Sequence, residues 1–585
     1  MFRCNGPPAR ARENFVLLVS IALDSSGVSE ALMHLAHTRV AVGDTCNCDI
    51  YYDASRYEVT ASMAGLSVRH KGVPGGDVFT LQSQLRRCSI RKPLLLGLPV
   101  YYSTTTRSFV ASTHIRLLRA FGVPIQEDRG ALPEFFLYRY VTAPRTLFQG
   151  ISSLPIGGSF NASFGGGEIA ATSPTWTDVF RKSTTLYHLE ESAARIKEDL
   201  EHSIDSLRSR REQVTCLMSG GVDSSILFKM CQGHLSLRAS HSTGYPFEAD
   251  EFNDERKYAE TAAAIFGSEH TYHAFTIQDF LQGVVESIDH AEVPVVAMQS
   301  ALLDLVLNRA LPDDQRIVIS GQGADSLFGL SIMYHYQETR RVTKPALAPV
   351  FKLLANTLGR LPQGDHQFPW ARMHAFSKRR WDLDFGNVNH GLWLMGEFAD
   401  KDWVKSTFNV DDEALLAGRR AAIGQFSINN VLDAFTVLDF VSDVAYMQDV
   451  WGKLGEFRGR WISFPFNSPE LIRVANHTPW GEKMSQHKRL LRRAGQMAGV
   501  PDSILFRPKR TFGISARRWA APGGVLESLF RVTAPVVEID VLRRFLGADE
   551  RRAMTGWTLV NYAIWKRIVI NGESAADVSA ELAGA

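Results

Sequence analysis

The sequence predicts an α/β domain built on a parallel sheet, preceded by a smaller β-rich domain. Three observations carry this. From Val214 onward, apolar runs of strand length alternate with segments of helical period, as βαβ units require. Two of those runs end in glycine-rich loops that open helices, Ser219-Gly220-Gly221-Val222-Asp223-Ser224-Ser225 and Ser320-Gly321-Gln322-Gly323-Ala324-Asp325-Ser326. Before about residue 170 the apolar runs are short and are separated by Gly, Pro, Asp and Ser turns. The chain therefore divides into 1–170 and 171–585.

In the first part, Phe15–Leu23, Leu94–Tyr102 and Phe135–Val141 read as strands. Ser159–Ser173, rich in Gly, Ser and Ala, reads as a connector. Glu190–Arg210 is an amphipathic helix, with Ala193, Ile196, Leu200, Ile204 and Leu207 on one face and a solvated charged face opposite. Then follow strand Thr215–Met218, a helix from Ser225, strand Leu237–Thr243, helix Asp254–Phe266, strand His270–Phe275, helix Ala301–Arg309 and strand Ile317–Ile319. Such alternation implies helices on both faces of a parallel sheet, with ligands bound outside the carboxyl ends of the strands. Residues 331–430 mix basic and aromatic stretches such as Lys378-Arg379-Arg380-Trp381, read as a solvated surface; from Val431 the pattern is mainly helical.

A chain of 585 residues with 45% hydrophobic and 22% charged content is an ordinary globular protein of two or more domains. Its net charge of +2 gives no pull toward nucleic acid or membrane. Arg3, Arg10 and Arg12 ahead of Phe15–Leu23 imitate a signal peptide, but Glu13 interrupts and no clean cleavage site follows. No apolar run approaches the ~20 residues that span a bilayer, so the expected location is the cytoplasm. Cys216 and Cys231 fall in core elements and read as reduced apolar fillers, and Cys46-Asn47-Cys48 as structural. His270-x-x-His273 has metal-like spacing, but on a strand that spacing puts the two rings on opposite faces, so they read as structural.

The chemistry sits in the two loops. Gly220 and Gly221 permit a tight turn with no side chain in the way of a ligand, and the helix that follows presents unpaired N–H groups to a phosphate. Ser219, Ser224 and Ser225 add hydroxyls. Asp223 would repel a bare phosphate, so a cation such as Mg²⁺ must lie between them. No lysine closes the loop, which excludes the kinase and GTPase pattern. The second loop repeats the logic, and Asp325 supplies a second carboxylate for shared Mg²⁺.

S-G-G-x-D-S-S resembles the pyrophosphate loop of ATP pyrophosphatases, and the ordered set of motifs resembles the asparagine synthetase family. The set includes the second loop, the Asp254-Glu255…Ala259…Gly267…His270 stretch, Glu292-x-Pro294, Lys488-x-Leu490-Leu491-Arg492 and Arg507-Pro508-Lys509-Arg510-Thr511-Phe512-Gly513. Thr146–Pro155 resembles the close of that family's amidotransferase domain. The resemblance implies a synthetase domain of ATP-pyrophosphatase type behind a degenerate amidotransferase-like sandwich of the N-terminal-nucleophile class. It implies ATP and Mg²⁺, with Asp223 and Asp325 as metal ligands. Pyrophosphate would be held by Ser219, Gly220, Gly221, Ser224 and Ser225, and the adenosine touched by Met218, Thr243, Ser320 and Gly321. Lys509 would stabilise developing negative charge.

The departures direct the functional reading. Glutamine-dependent members carry a nucleophilic cysteine after the initiator methionine; here Phe2 stands there and Cys4 is internal, so no glutaminase activity is expected. Gln322 and Ser326 stand where the family has glutamates, and glutamine cannot act as a base. His290 is the ionisable candidate for that task, against a plain core or surface role. An adenylating enzyme without an ammonia source resembles the lasso peptide cyclases, a macrolactam-forming branch. There an Asp or Glu side chain of a leader-cleaved peptide is activated as acyl-AMP and captured by the peptide's own N-terminal amine. The expected partners are then a peptide substrate and a leader peptidase. Alternatives are an ammonia-dependent asparagine synthetase, a β-lactam synthetase-like enzyme on a small molecule, and a non-catalytic scaffold for a precursor peptide.

Overall fold

The computed structural model describes residues 17–22, 35–41, 47–62, 65–71, 73, 76–105, 108–165, 168–181, 186–237, 239–244, 254–330, 333, 388–393, 399–428, 430–507, 516–547 and 549–583. Phe2, Cys4, Cys46, the Lys378–Trp381 stretch, Lys509 and the Arg510–Gly513 run that follows it lie outside the described residues.

The first part is a sandwich of two six-stranded antiparallel sheets. One has the order β10-β8-β9-β1-β3-β2, formed by β1 (Leu17–Ala22), β2 (Ala36–Ala41), β3 (Asn47–Tyr52), β8 (Tyr101–Thr104), β9 (Ser108–Ser112) and β10 (Ser152–Ser153). The other has the order β12-β11-β7-β6-β5-β4. It consists of β4 (Tyr57–Ser62), β5 (Gly65–His70), β6 (Asp77–Gln82), β7 (Arg87–Arg91), β11 (Ser159–Gly165) and β12 (Glu168–Ala171). Alternate residues point inward, as the strand period dictates. Val19, Ile50, Val68, Phe79, Ile90, Phe109 and Phe160 form one core between the sheets.

Three local expectations fail here. Phe135–Val141 is mostly helix, in α2 (Leu132–Tyr138), which follows α1 (Ile115–Ala120). Pro133 sits in the first turn of α2, where its missing N–H costs nothing, and all seven residues of the helix are buried, so no alternation marks it as helix or strand. Ser159–Ser173 is no connector: its small residues form the β11–β12 hairpin, with β11 also paired to β7. Of Leu94–Tyr102, only Tyr101 and Tyr102 enter a strand; Gly97 turns at φ +67° just before Pro99.

The second part is built on parallel strands. β13 (Val214–Cys216), β16 (Ile317–Ile319) and β17 (Trp461–Ser463) pair in that order, and β14 (Ala239–Gly244) pairs with β15 (Glu269–Ala274). A single parallel bridge, Leu217 to His241, joins the two groups, so the strands run β15-β14-β13-β16-β17. The helices are α3 (Leu189–Asp205), α4 (Val222–Leu235), α5 (Asp254–Phe266), α6 (Ile277–Ala291), α7 (Met298–Leu305, extended by a π-helical turn to Ala310) and α8 (Ala324–Phe328). Ile317 and Ile319 pack into one core with α3 and α4, while Val318 points into the other with α6 and α7. Alternation on a strand whose every residue is apolar is what burial on both faces produces. The helical face predicted for α3 is correct: Ala193, Ile196, Leu200 and Ile204 are fully buried. Beyond Val431 the chain is mainly helical, as expected, but Trp461–Ser463 supplies the edge strand β17, too short to leave a periodic signal.

Cys216 and Cys231 are buried free thiols, and burial pushes Cys216 up to about 12, so these are apolar fillers; Cys48 and Cys88 are buried as well. Among the described residues no helix is long and apolar enough to cross a membrane.

Candidate active site

β13 and β16 are neighbours, so the loops that leave their carboxyl ends meet. A Cβ placed on Gly321 would stand 3.3 Å from Asp223 Cβ and 3.5 Å from the Ser224 nitrogen. The first loop is closed by its own hydroxyls: Ser219 Oγ lies 3.2 Å from Ser224 Oγ and accepts from the Gly221 N–H at 3.3 Å. Gly220 has φ +67°, and an added Cβ would lie 2.3 Å from the Tyr258 carbonyl oxygen on α5. This position requires glycine both for its dihedral and for its clearance. Ser225 Oγ is fully buried and has no hydrogen-bond partner among the described residues.

Asp223 in the first turn of α4 and Asp325 in the first turn of α8 converge on one ammonium. Lys488 Nζ is 2.7 and 2.5 Å from the two oxygens of Asp223 and 2.5 Å from Asp325 Oδ1. Lys488 is only 3% exposed, whereas the Asp223 and Asp325 side chains are 23% and 41% exposed. Burial alone would pull the lysine pKa down; the two carboxylates outweigh it and hold the pKa above its ordinary value. These oxygens suit a hard divalent cation, since two carboxylates from different loops already meet at one point on a cation's coordination distance scale. Arg507 backs the first loop, donating Nε–H to the Gly220 carbonyl at 2.7 Å with its guanidinium 4.0 Å above the Tyr258 ring.

The remaining sequence-predicted residues fall as follows. Met218 is buried in the core, its N–H donating to the His241 carbonyl at 2.9 Å. Thr243 donates Oγ1–H to the His273 carbonyl at 2.9 Å. Ser320 is buried at the end of β16, and its Oγ accepts from the Gln322 N–H at 3.2 Å, which places Gln322 in the loop itself. His290 is not brought to the loops. It is 6% exposed near the end of α6, with Nδ1 3.1 Å from Asp304 Oδ2 and its ring stacked 3.6 Å from Phe457. Its contacts make it a core histidine set against Asp304, whose carboxylate also pairs with Arg458, and the base role expected for it has no geometric support. His270 and His273 do lie on opposite faces of β15: His270 meets Ser240 and Ser242, and His273 meets His241 at 3.0 Å. No group of three or more metal-binding side chains occurs among the described residues.

Two site features escaped the sequence reading. Lys488 was visible only as part of a motif, because nothing local shows that a residue so far along the chain reaches Asp223. Ser326, one residue past Asp325, donates its hydroxyl to Asp439 on the π-helical turn Asp439–Val444. Burial, then the neighbouring Asp443, pushes the Asp439 carboxyl up to about 8.

Glu292 of the Glu292-x-Pro294 motif has a structural position. It is buried against Lys453, accepts from Arg116 Nε at 2.8 Å, and caps α1 through the Ile115 and Arg116 N–H groups.

The family model for asparagine synthase matches residues 195–567. A protein of Mycobacterium tuberculosis named "Putative asparagine synthetase", glutamine-hydrolyzing, is 25% identical over 486 residues, 79% of this chain and 71% of the relative. Asparagine synthetase 1, glutamine-hydrolyzing, of Bacillus subtilis is 24% identical over 270 residues, 46% of this chain and 41% of the relative. The matched span contains both loops, both aspartates and Lys488, and the chain belongs to the asparagine synthase family.

Proposed function

We propose that this protein is an ATP-dependent carbon–nitrogen ligase that closes a macrolactam in a leader-cleaved peptide, releasing AMP and pyrophosphate. The observation that carries the ligase reading is the convergence of Asp223 and Asp325, from two adjacent strand-end loops, on a single cation position. Mg²⁺ held on the solvent-facing side of these carboxylates would neutralise the phosphates of ATP. The N-terminal turn of α4, with Ser219, Gly221 and Ser225, would hold the leaving pyrophosphate. A substrate carboxylate oxygen attacks the α-phosphorus, pyrophosphate leaves, and an acyl-AMP forms. The amine then attacks the acyl carbon, AMP leaves, and the amine gives up its proton; the peptide has lost one water.

The peptide reading is supported by Gln322, which stands in the loop where a family carboxylate would be and cannot take a proton. Holding the peptide's own amine beside its acyl-adenylate would then be the main source of rate. Residues 1–170 act in this reading as an amidotransferase-like domain, and a leader peptidase supplies the free amine.

The test is mass spectrometry of a linear peptide with a free N-terminal amine and an interior Asp or Glu, after incubation with the protein, a leader peptidase and MgATP. Loss of one water together with AMP, both absent in Asp223→Ala, is the expected result. Asparagine and AMP formed from aspartate with ammonium would replace the peptide reading with the alternative that the relatives' names favour. Absence of pyrophosphate–ATP exchange with every carboxylate offered would leave only a binding role.

A further inference from the structure

We propose that Lys488 is a positioning residue that keeps the Asp223–Asp325 pair from capturing a divalent cation by itself, so that the cation enters only together with a nucleotide. The inference deepens the ligase reading and rests on it. Two carboxylates brought within reach of one point repel each other and form a ready divalent-cation trap. Lys488 Nζ bridges the pair from its buried side, within 2.7 Å of both oxygens of Asp223 and at 2.5 Å from Asp325. The three groups together carry one net negative charge instead of two, too little to strip water from a divalent ion without further oxygens. The phosphates of a bound nucleotide supply those oxygens.

The geometry explains how the lysine can do this without blocking the site. It is 3% exposed and lies behind the carboxylates, which are 23% and 41% exposed and keep an open side toward solvent. Its backbone is in the left-handed region, φ +54°, immediately before the helix Arg489–Met497. That helix packs on α3 and α4, so the ammonium is delivered from a fixed framework. Lysine suits this point better than arginine, because a compact ammonium fits between two carboxylates that already touch it.

The experiment is Mn²⁺ binding to the full chain, read by electron paramagnetic resonance of free Mn²⁺. Without nucleotide, Lys488→Met binds Mn²⁺ at least ~10-fold more tightly than wild type, since removing a unit charge this close is worth a factor of ten or more at the effective dielectric of a protein surface. Asp223→Asn in the Lys488→Met background abolishes the gain. Equal Mn²⁺ affinity in wild type and Lys488→Met overturns the proposal. Should Lys488→Met fail to fold, the wild type alone decides it: tight Mn²⁺ binding to the empty protein that Asp223→Asn removes overturns the proposal, and weak binding insensitive to Asp223→Asn upholds it. A non-hydrolysable ATP analogue separates the two readings. Wild type that takes up Mn²⁺ with the analogue while Lys488→Met shows no gain without it refutes only the role of Lys488. Wild type that takes up no Mn²⁺ with the analogue refutes the ligase reading as well.

Discussion

Gly220→Ala isolates the contribution of the first loop's backbone, because it adds one methyl group and no charge. Gly220 lies at φ +67°, and an alanine held there costs about 1–2 kcal/mol in dihedral strain. The new Cβ would also stand 2.3 Å from the Tyr258 carbonyl oxygen, against a floor of 3.0 Å for real contacts, so α5 and the loop must separate by 0.7 Å. Overpacking of this kind costs about 1–3 kcal/mol. The sum, about 2–5 kcal/mol, falls on the loop rather than on the whole fold, and expressed as lost nucleotide affinity it is about 30-fold or more. Gly221→Ala, in the same phosphate turn, is the comparison without dihedral strain. Gly221 has φ −73°, an ordinary extended geometry, and its added Cβ meets Ser219 Oγ at 3.2 Å, a side-chain atom that can move aside, and Arg507 Nη2 at an ordinary 3.7 Å. Calorimetric titration with ATP and magnesium reads both variants, with thermal melting as the check on folding. A Gly220→Ala protein that binds ATP within twofold of wild type refutes this account of the loop.

Four further predictions follow from named contacts. Asp223→Asn and Asp325→Asn each reduce pyrophosphate–ATP exchange by at least ~100-fold while the protein stays folded, as each removes a ligand charge for the metal–phosphate complex; the readout is exchange rate beside circular dichroism. Lys453→Met strands Glu292, a carboxyl whose pKa is raised by burial but lowered more strongly by Lys453 and Arg116, and destabilises the protein by about 3–5 kcal/mol in denaturant melts; Glu292→Gln in the same chain recovers part of the loss. Glu456 is held near 8, chiefly by burial and against the pull of Arg56 and Lys453. Its folded pKa exceeds its unfolded value of 4.5, so the unfolded chain binds fewer protons between those values and stability falls as pH rises from about 4.5 to about 8. Glu456→Gln removes that slope, and the variant gains on wild type toward pH 8 in melts run across the range. His290→Phe lowers stability by about 1–3 kcal/mol, since it breaks the buried pair with Asp304, yet keeps the rate of AMP formation within a few-fold of wild type; a loss above ~100-fold with an intact fold would return the histidine to the chemistry.

What the sequence alone determined is what local chemistry encodes. A strand of three apolar residues followed by glycines, serines and an aspartate is legible because turn, clearance and helix start are all written within a dozen positions. The amphipathic face of α3 and the βαβ alternation are legible because periodicity is local. The sequence misread Phe135–Val141 and Ser159–Ser173 because full burial erases amphipathic period in the one, and small residues mimic a linker in the other, until pairing with β7 decides it. Only the tertiary structure decided that β13 and β16 are adjacent and that Lys488 reaches both aspartates. It also decided that His290 belongs to Asp304 and Phe457. Convergence of charges from positions 223, 325 and 488 is a property of strand order and helix packing, and no local pattern in the chain records it.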